Sequence, residues 1–359
     1  MRIVRYYPRA LTGDGGMTGA VRRWSESLAK AGASVAIAFE GGSDEGSTSG
    51  GIEWLPVRHT GRSWRKRPVQ LEHALRGADL LVLHSAWAFH NISAAAAARS
   101  VGVPYLLEPR GAYDPHIVRR RKLLKKAWWI AWERELVTRA HAIHIFFEEE
   151  RPHVTALGYR GALVRAPNGI EPPNGVHWDG GSGGYVLWLG RFDPEHKGLD
   201  LLLRAVAHIP IAERPHVRLH GPDFRGGKAV VRRLIGTLGL DPWVTIGDAV
   251  HGQAKWELLS RASGFVYPSR WEGFGNSVAE AVSIGVPTLV TPYPLGRHLA
   301  SRGGAIIAEP TADALAAGLQ ALSAQRAAEV AAAGARVMRA EMSWDAVARS
   351  WLAQTEALL

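Results

Sequence analysis

The chain has 359 residues, 47% of them hydrophobic and 21% charged, with a formal net charge of +10 and no cysteine. That length exceeds what one ordinary core supports, so two domains are expected, and the missing cysteines exclude disulfides, thiolate chemistry and His/Cys zinc clusters. No apolar run approaches the roughly 20 residues a membrane span needs, the polar opening does not read as a signal peptide, and a basic balance points to an anionic partner or to a solvated surface. A cytoplasmic location is the expectation, with peripheral attachment to the inner face of the cell membrane as its variant.

Short apolar runs alternate with helical patterns. In the first half, "RIVRYY" (2–7), "SVAIAF" (34–39), "DLLVLH" (79–84), "PYLLE" (104–108), "AIHIFF" (142–147) and "ALVRAP" (162–167) read as strands. Between them, 19–32 and 123–140 carry helical spacing. Nearly continuous apolar strands separated by helices predict a parallel sheet covered on both faces. The Gly- and Pro-rich stretch 168–184 reads as a linker. The pattern then restarts with "YVLWLG" (185–190), "VRLHG" (217–221), "VTIG" (244–247), "GFVYP" (264–268), "PTLVT" (287–291) and "AIIAE" (305–309). The expected organisation is an α/β protein of two Rossmann-like domains, 1–167 and 185–342, facing across a cleft. A last segment, 343–359, has Trp344, Val347, Trp351 and Leu352 on one side of a helix and is expected to pack back on the first domain.

Ligands of such sheets sit at the carboxyl ends of strands, so the loops after strands carry the functional reading. In "LWLGRFDPEHKGLDLLLRAV" (187–206), a strand ends at Gly190, Arg191 follows, and Lys197 opens a helix. Two cations beside a helix N-terminus suit a diphosphate, and a helix start disfavours lysine unless an anion is present. In "YPSRWEGFGNSVAEAVSIGVP" (267–287), Glu272 and Glu280 flank a Gly-Phe-Gly turn. A capping box, with Asn276 or Ser277 as cap and Glu280 reaching back, accounts for Glu280 alone. Glycines that expose backbone amides beside a helix start suit an anion, and the carboxylates suit sugar or ribose hydroxyls. Together these features describe a nucleotide-sugar pocket.

The loop "PRALTGDGGMTGAV" (8–21) brings Gly13, Gly15 and Gly16 before a helix. It fails as a dinucleotide fingerprint, although Glu40 ends the second strand as a ribose-binding acid would. Arg110 in "LLEPRGAYDP" (106–115), with His84 and Trp87 after "DLLVLH", could line an acceptor pocket or be surface and core residues.

The segments "GRFDPEHKGLDLLLRA", "PSRWEGFGNSVAEAVSIGVPTLVT" and "PNGI" (167–170) together resemble the family-four retaining glycosyltransferases of GT-B fold (glycosyl transferases group 1), over nearly the whole chain and most strongly from about 162 to 292. The resemblance implies that Arg191 and Lys197 bind the donor diphosphate, with Gly190 at the strand end, and that Glu280 binds the ribose and Glu272 faces the transferred sugar. It implies backbone contacts from Phe274, Gly275 and Asn276 near Ser277, and closure by Gly15 and Gly16 from the other domain. It also implies transfer from a UDP- or GDP-linked hexose with retention and no required metal or cofactor; the chain has no D-x-D motif. With no carboxylate placed as a nucleophile, a front-face reaction with the leaving phosphate as base is expected. Two departures stand out: "EPRG" replaces the family's usual histidine, putting Arg110 in its place, and "PYPLG" (292–296) replaces a Gly-Gly turn.

The acceptor reads as a glycan, a lipid-linked glycan or a natural product. The stretch "RRRKLLKKAWWIAW" (119–132) mixes six basic residues with apolar ones and three tryptophans. It reads either as a contact with anionic membrane, tryptophans at the interface, or as a core helix with its cations in water. No nucleic-acid reading motif is present. The competing functions are a nucleotide-sugar epimerase and a non-catalytic basic lipid-binding protein. The set Arg191, Lys197, Glu272 and Glu280 argues against the second, since a pure binder has no need of it.

Overall fold

The structure, a computed structural model, describes residues 1–9, 16–41, 47–61, 65–322 and 326–359. It divides into two compact units, Met1–Gly169 with Trp344–Leu359, and Ile170–Ser343.

The strands of the first unit are β1 (Arg2–Tyr7), β2 (Ser34–Glu40), β3 (Ser47–Ser49), β4 (Ile52–Val57), β5 (His59–Thr60), β6 (Arg67–Pro68), β7 (Leu80–His84), β8 (Tyr105–Glu108), β9 (Ala142–Ile145) and β10 (Ala162–Arg165). Its main sheet runs β10-β9-β8-β7-β1-β2-β4-β3, parallel except for β3 against β4, and β5 and β6 form a separate antiparallel pair. The chain runs outward from β1 through β2 to β4, then returns to place β7 on the other side of β1. That reversal is the topological switch where open α/β sheets bind ligands.

Alternation along each strand sorts the side chains between two covered faces. Val4, Tyr6, Leu81, Leu83, Leu107 and Ile143 share one core cluster; Ile3, Val82, Leu106 and Ala142 share the other. The second cluster is closed by Trp24 of the helix Gly16–Lys30 and by the helix Trp344–Glu356, which buries Trp344, Val347, Trp351 and Leu352. Trp24 meets Trp344 edge-on at 5.5 Å, and its indole N–H donates to Asn168 Oδ1 at 2.9 Å.

The pattern expected as one helix over 123–140 is broken. Lys122–Trp128 is α-helical, Trp129–Glu133 forms a π-turn, and Arg134–Thr138 is α-helical again. The extra residue in the π-turn accompanies the burial of Glu133, which accepts the Trp87 N–H, the Tyr113 hydroxyl and the Trp128 indole N–H at 2.8–3.0 Å.

The second unit has β11 (Val186–Leu189), β12 (Val217–His220), β13 (Val244–Gly247), β14 (Gly264–Tyr267), β15 (Thr288–Val290) and β16 (Ile306–Ile307), in the all-parallel order β13-β12-β11-β14-β15-β16. Its switch lies between β11 and β14. Most of the stretch read as a linker is laid onto this unit rather than left free. Trp178 donates its backbone N–H to Ile284 and its indole N–H to Ala262, both at 2.8 Å, and Gly183 N–H reaches Arg261 O at 2.8 Å.

Candidate functional site

The loops that leave β11 and β14 are neighbours because their strands are. Gly190 N–H donates to His220 O at 3.1 Å on the β12 side. Gly198, at φ +64°, opens the helix Leu199–His208, and a Cβ there would stand 2.0 Å from Pro268 O. No other residue lets the β11 loop lie this close to the end of β14, and the approach brings Lys197 to Tyr267 and Glu272.

Lys197 is buried. Its ammonium donates to Tyr267 Oη at 2.9 Å and forms a close ion pair with Glu272 Oε1. Burial alone would lower the ammonium's pKa, but Tyr267 and Glu272 outweigh it and raise it. Burial likewise pushes the Glu272 carboxyl up, while Lys197, His196 and the Ser269 hydroxyl at 2.6 Å bring it below its ordinary value. The pair is therefore fully charged. Arg191 differs: its side chain is 46% exposed, its guanidinium lies 4.6 Å over the Phe224 ring, and Nη2 donates to His196 Nδ1 at 3.2 Å. One cation is held rigidly inside and the other rests at the surface.

His196 was not singled out by sequence, although it stands between the two cations. Its ring stacks on Trp271 at 4.5 Å with 4° between planes, and Nε2–H donates to Trp271 O at 2.9 Å. Accepting at one nitrogen and donating at the other fixes a neutral ring, and burial, with the charge of Lys197, lowers its pKa to about 4.

The helix Asn276–Ser283 begins after Gly275, which is at φ +91°. The capping box read in "SVAE" does not form. Gly275 occupies the cap position without a side-chain bond, and Ser277 Oγ donates instead to Leu189 O at 3.0 Å, tying this helix to the end of β11. Glu280 does not reach back; it accepts from Lys255 Nζ at 2.6 Å with its side chain 19% exposed. Phe274 is buried and Asn276 exposed at the first turn. The β11–β14 switch thus collects Gly190, Arg191, Lys197, Glu272, Phe274, Gly275, Asn276 and Ser277, and Glu280 follows one turn along the helix.

In the first unit, Gly15 lies outside the described residues and Gly16 opens the helix Gly16–Lys30. His84, Arg110 and Trp87 stand at the carboxyl ends of β7 and β8, where Ser85 (φ 70°), Trp87 (φ 59°) and Arg110 (φ 52°) all adopt left-handed backbone. Such strain gathers where surrounding structure over-determines it, often at functional sites. His84 is 1% exposed and lies 2.8 Å from Glu108 Oε2. Arg110 donates to the same oxygen at 2.9 Å.

Glu108 is a hub that sequence reading missed. Arg5 Nη2 donates to both its oxygens at 3.2 Å, and His144 Nδ1 lies 3.2 Å from Oε1. Alternation puts Arg5, His84, Glu108 and His144 on one face of four adjacent strands, and all are buried. Burial would raise the Glu108 carboxyl, but Arg5 and the other nearby cations hold it well below its usual range. His84, by contrast, is pushed down to about 4, chiefly by burial. Trp87 is partly buried, with its indole N–H on Ala112 O at 3.0 Å and Lys125 at 5.0 Å over its ring.

Among the described residues, no three His, Cys, Asp or Glu side chains gather as a metal would require, and no helix is long and apolar enough to cross a membrane.

Two doubly wound parallel-sheet units, one with paired cations, carboxylates and a glycine turn at its switch point, have the architecture of the GT-B fold. Residues 183–325 match the profile of the family described as glycosyl transferases group 1, and residues 15–169 that of the glycosyl transferase 4-like domain. The chain belongs to the group 1 glycosyltransferases of GT-B fold. It is 33% identical over 115 residues to the O-antigen chain mannosyltransferase B of Escherichia coli, a match spanning 31% of this chain and 30% of that protein. It is 26% identical over 287 residues to the GDP-mannose:cellobiosyl-diphosphopolyprenol alpha-mannosyltransferase of Xanthomonas oryzae pv. oryzae, covering 75% and 72% of the two chains. The sucrose-phosphate synthase of Thermosynechococcus elongatus superposes over 99% of this chain and 98% of its own, with a TM-score of 0.77 at 18% identity.

Proposed function

We propose that the chain is a retaining hexosyltransferase that moves a sugar from a nucleotide-diphosphate donor to an acceptor hydroxyl, without a metal. The observation that carries this reading is the Arg191–Lys197 pair beside the start of the helix Asn276–Ser283, at the switch between β11 and β14. Cleaving the anomeric bond leaves a cation-like sugar and an anionic diphosphate. Lys197, desolvated and fixed, and Arg191, exposed enough to close on a ligand, supply the positive charge that stabilises the departing phosphate. Glu280, partly exposed one turn into the helix, accepts the ribose hydroxyls in this reading. Glu272 is held by Lys197 and Ser269 and orients the lysine, with the transferred sugar above it. The leaving phosphate acts as base for the acceptor on the same face of the sugar.

The donor is a UDP- or GDP-linked hexose. GDP-mannose is the first choice, because two relatives are named for mannose transfer and one for that donor. The acceptor is a glycan, a lipid-linked glycan or a natural product; the diphosphopolyprenol in one relative's name favours the lipid-linked class. The test is thermal stabilisation by UDP, GDP, ADP and NAD without metal, on the native chain and on Glu280→Ala. Stabilisation by one nucleoside diphosphate, lost in the variant, is expected. A response to NAD alone, or to none, would sink the reading.

Residues 119–132 serve as a contact with anionic membrane in this proposal, from the cytoplasmic side. Leu123, Leu124 and Ile130 are 83%, 61% and 70% exposed, among exposed Arg119, Arg120, Arg121, Lys122 and Lys126, with no acid between Asp114 and Glu133. The apolar tip differs from the one read in the sequence. The tryptophans turn inward, Trp132 meeting Phe89 at 5.9 Å and Trp129 meeting Trp87 at 6.5 Å, so leucine and isoleucine would enter the lipid. Salt-sensitive pelleting with anionic vesicles, weakened in Leu123→Ser/Leu124→Ser, is expected; pelleting equal to that with zwitterionic vesicles would refute it.

A further inference from the structure

The "PYPLG" stretch, where this chain departs from its family, puts an aromatic hydroxyl under the glycine turn. Tyr293 precedes the helix Pro294–Ala300 and is 4% exposed. A Cβ on Gly275 would stand 3.1 Å from Tyr293 Oη and 3.4 Å from its ring, so the phenol lies directly against the turn that starts the helix Asn276–Ser283. Tyr267, the partner of Lys197, meets Tyr293 edge-on at 6.3 Å. The hydroxyl is buried and has no hydrogen-bond partner among the described residues. Buried hydroxyls left in that state destabilise the fold, and each such group in a native structure needs an explanation. A phenylalanine would fill the same space without that cost. Burial, then the nearby Tyr267 and Glu272, keep the phenol well above its ordinary pKa, so it retains its proton and can only gain by donating it to an acceptor.

We propose that Tyr293 is a donor-site residue whose hydroxyl donates a hydrogen bond to a phosphate oxygen of the bound nucleoside diphosphate. The inference rests on the nucleotide-sugar reading of this site. An anion is what the start of the neighbouring helix attracts, and two glycines flanking Phe274 allow the turn covering the hydroxyl to lift as the phosphate enters. The unpaired group is thus a cost that a phosphate oxygen would remove.

The test compares Tyr293→Phe with the native chain, measuring melting temperature without ligand and Kd by calorimetry for GDP, UDP, GDP-mannose and the nucleosides guanosine and uridine. The expected result is a free variant at least as stable as the native chain, with affinity for the bound nucleoside diphosphate reduced about tenfold, the scale of one hydrogen bond to a charged group, and nucleoside affinity unchanged. Weakened nucleotide-sugar binding with intact diphosphate binding would place the hydroxyl on the sugar and overturn the assignment. Equal diphosphate affinity in both proteins would make the hydroxyl merely structural. Failure of the native chain to bind any nucleoside diphosphate would instead overturn the site reading itself. If Tyr293→Phe folds poorly, hydrogen exchange at residues 273–277 of the native chain decides: diphosphate must change it, and no change refutes the lifted turn.

Discussion

Replacing Glu108 by glutamine tests whether the hub in the first unit is held by charge. The change keeps the shape and removes one negative charge from a site where the Glu108 side chain is 1% exposed and that of Arg5 0%. Arg5 donates its hydrogen bonds to Glu108, and its Nε and Nη1 have no partner among the described residues. The native site sets one carboxylate against the guanidiniums of Arg5 and Arg110, so the variant leaves two cations with no compensation. Breaking a buried pair in this way costs about 3–5 kcal/mol. For a unit of this size each kcal/mol lowers the melting temperature by about 2–4 °C, which gives a fall of roughly 6–20 °C. Calorimetry would measure the fall, and hydrogen exchange at the amides of β1 and β7 would assign it to the first unit. Adding Arg5→Met should recover part of the loss, because the orphaned charge leaves with it. A loss below about 1 kcal/mol, or a double variant no more stable than Glu108→Gln, would refute the reasoning.

Two further outcomes follow from the second unit. His196 titrates near 4 in the folded chain and near 6.5 when unfolded. The unfolded chain therefore takes up the proton first, so the contribution of His196 is complete above about 6.5 and falls by about 1.4 kcal/mol per pH unit down to about 4. His84 and His90, also lowered to about 4, add to the slope of the native chain in urea melts, so His196→Gln should lessen it by about 1.4 kcal/mol per pH unit and leave the rest. Gly275→Ala should cost about 1–3 kcal/mol, since alanine would meet φ +91° and the Tyr293 hydroxyl together; a thermal melt within error of the native chain would contradict that packing.

The sheets were legible because each strand is a compact apolar run, and so was the position of Arg191 and Lys197 in the loop that leaves β11. β4 was missed: "IEWLPV" carries an acid and a proline, which demote a strand signal, and the structure accommodates them near the sheet edge, with β3 beyond. The break at Trp129–Glu133 was missed because a π-turn leaves helical spacing almost intact over so short a segment. The partners of the site residues were illegible for another reason. Lys197 and Glu272 lie 75 residues apart, Arg5 and Glu108 lie 103 apart, and only strand order makes them neighbours. Arg5 stands with Arg2 in "RIVRYY", with nothing in the run to mark it. The strand alternation that aims it at β8 becomes informative once β7 and β8 are known to lie beside β1.

The helix Trp344–Glu356 belongs to the unit that the chain began, with the whole second unit inserted before it. During synthesis, Trp24 emerges more than three hundred residues ahead of Trp344 and Trp351, the indoles that cover it. The first sheet must therefore wait with one face open until the second unit has been made. A chain ended before residue 344 would keep all of the second unit and leave Trp24 without the indoles of Trp344 and Trp351.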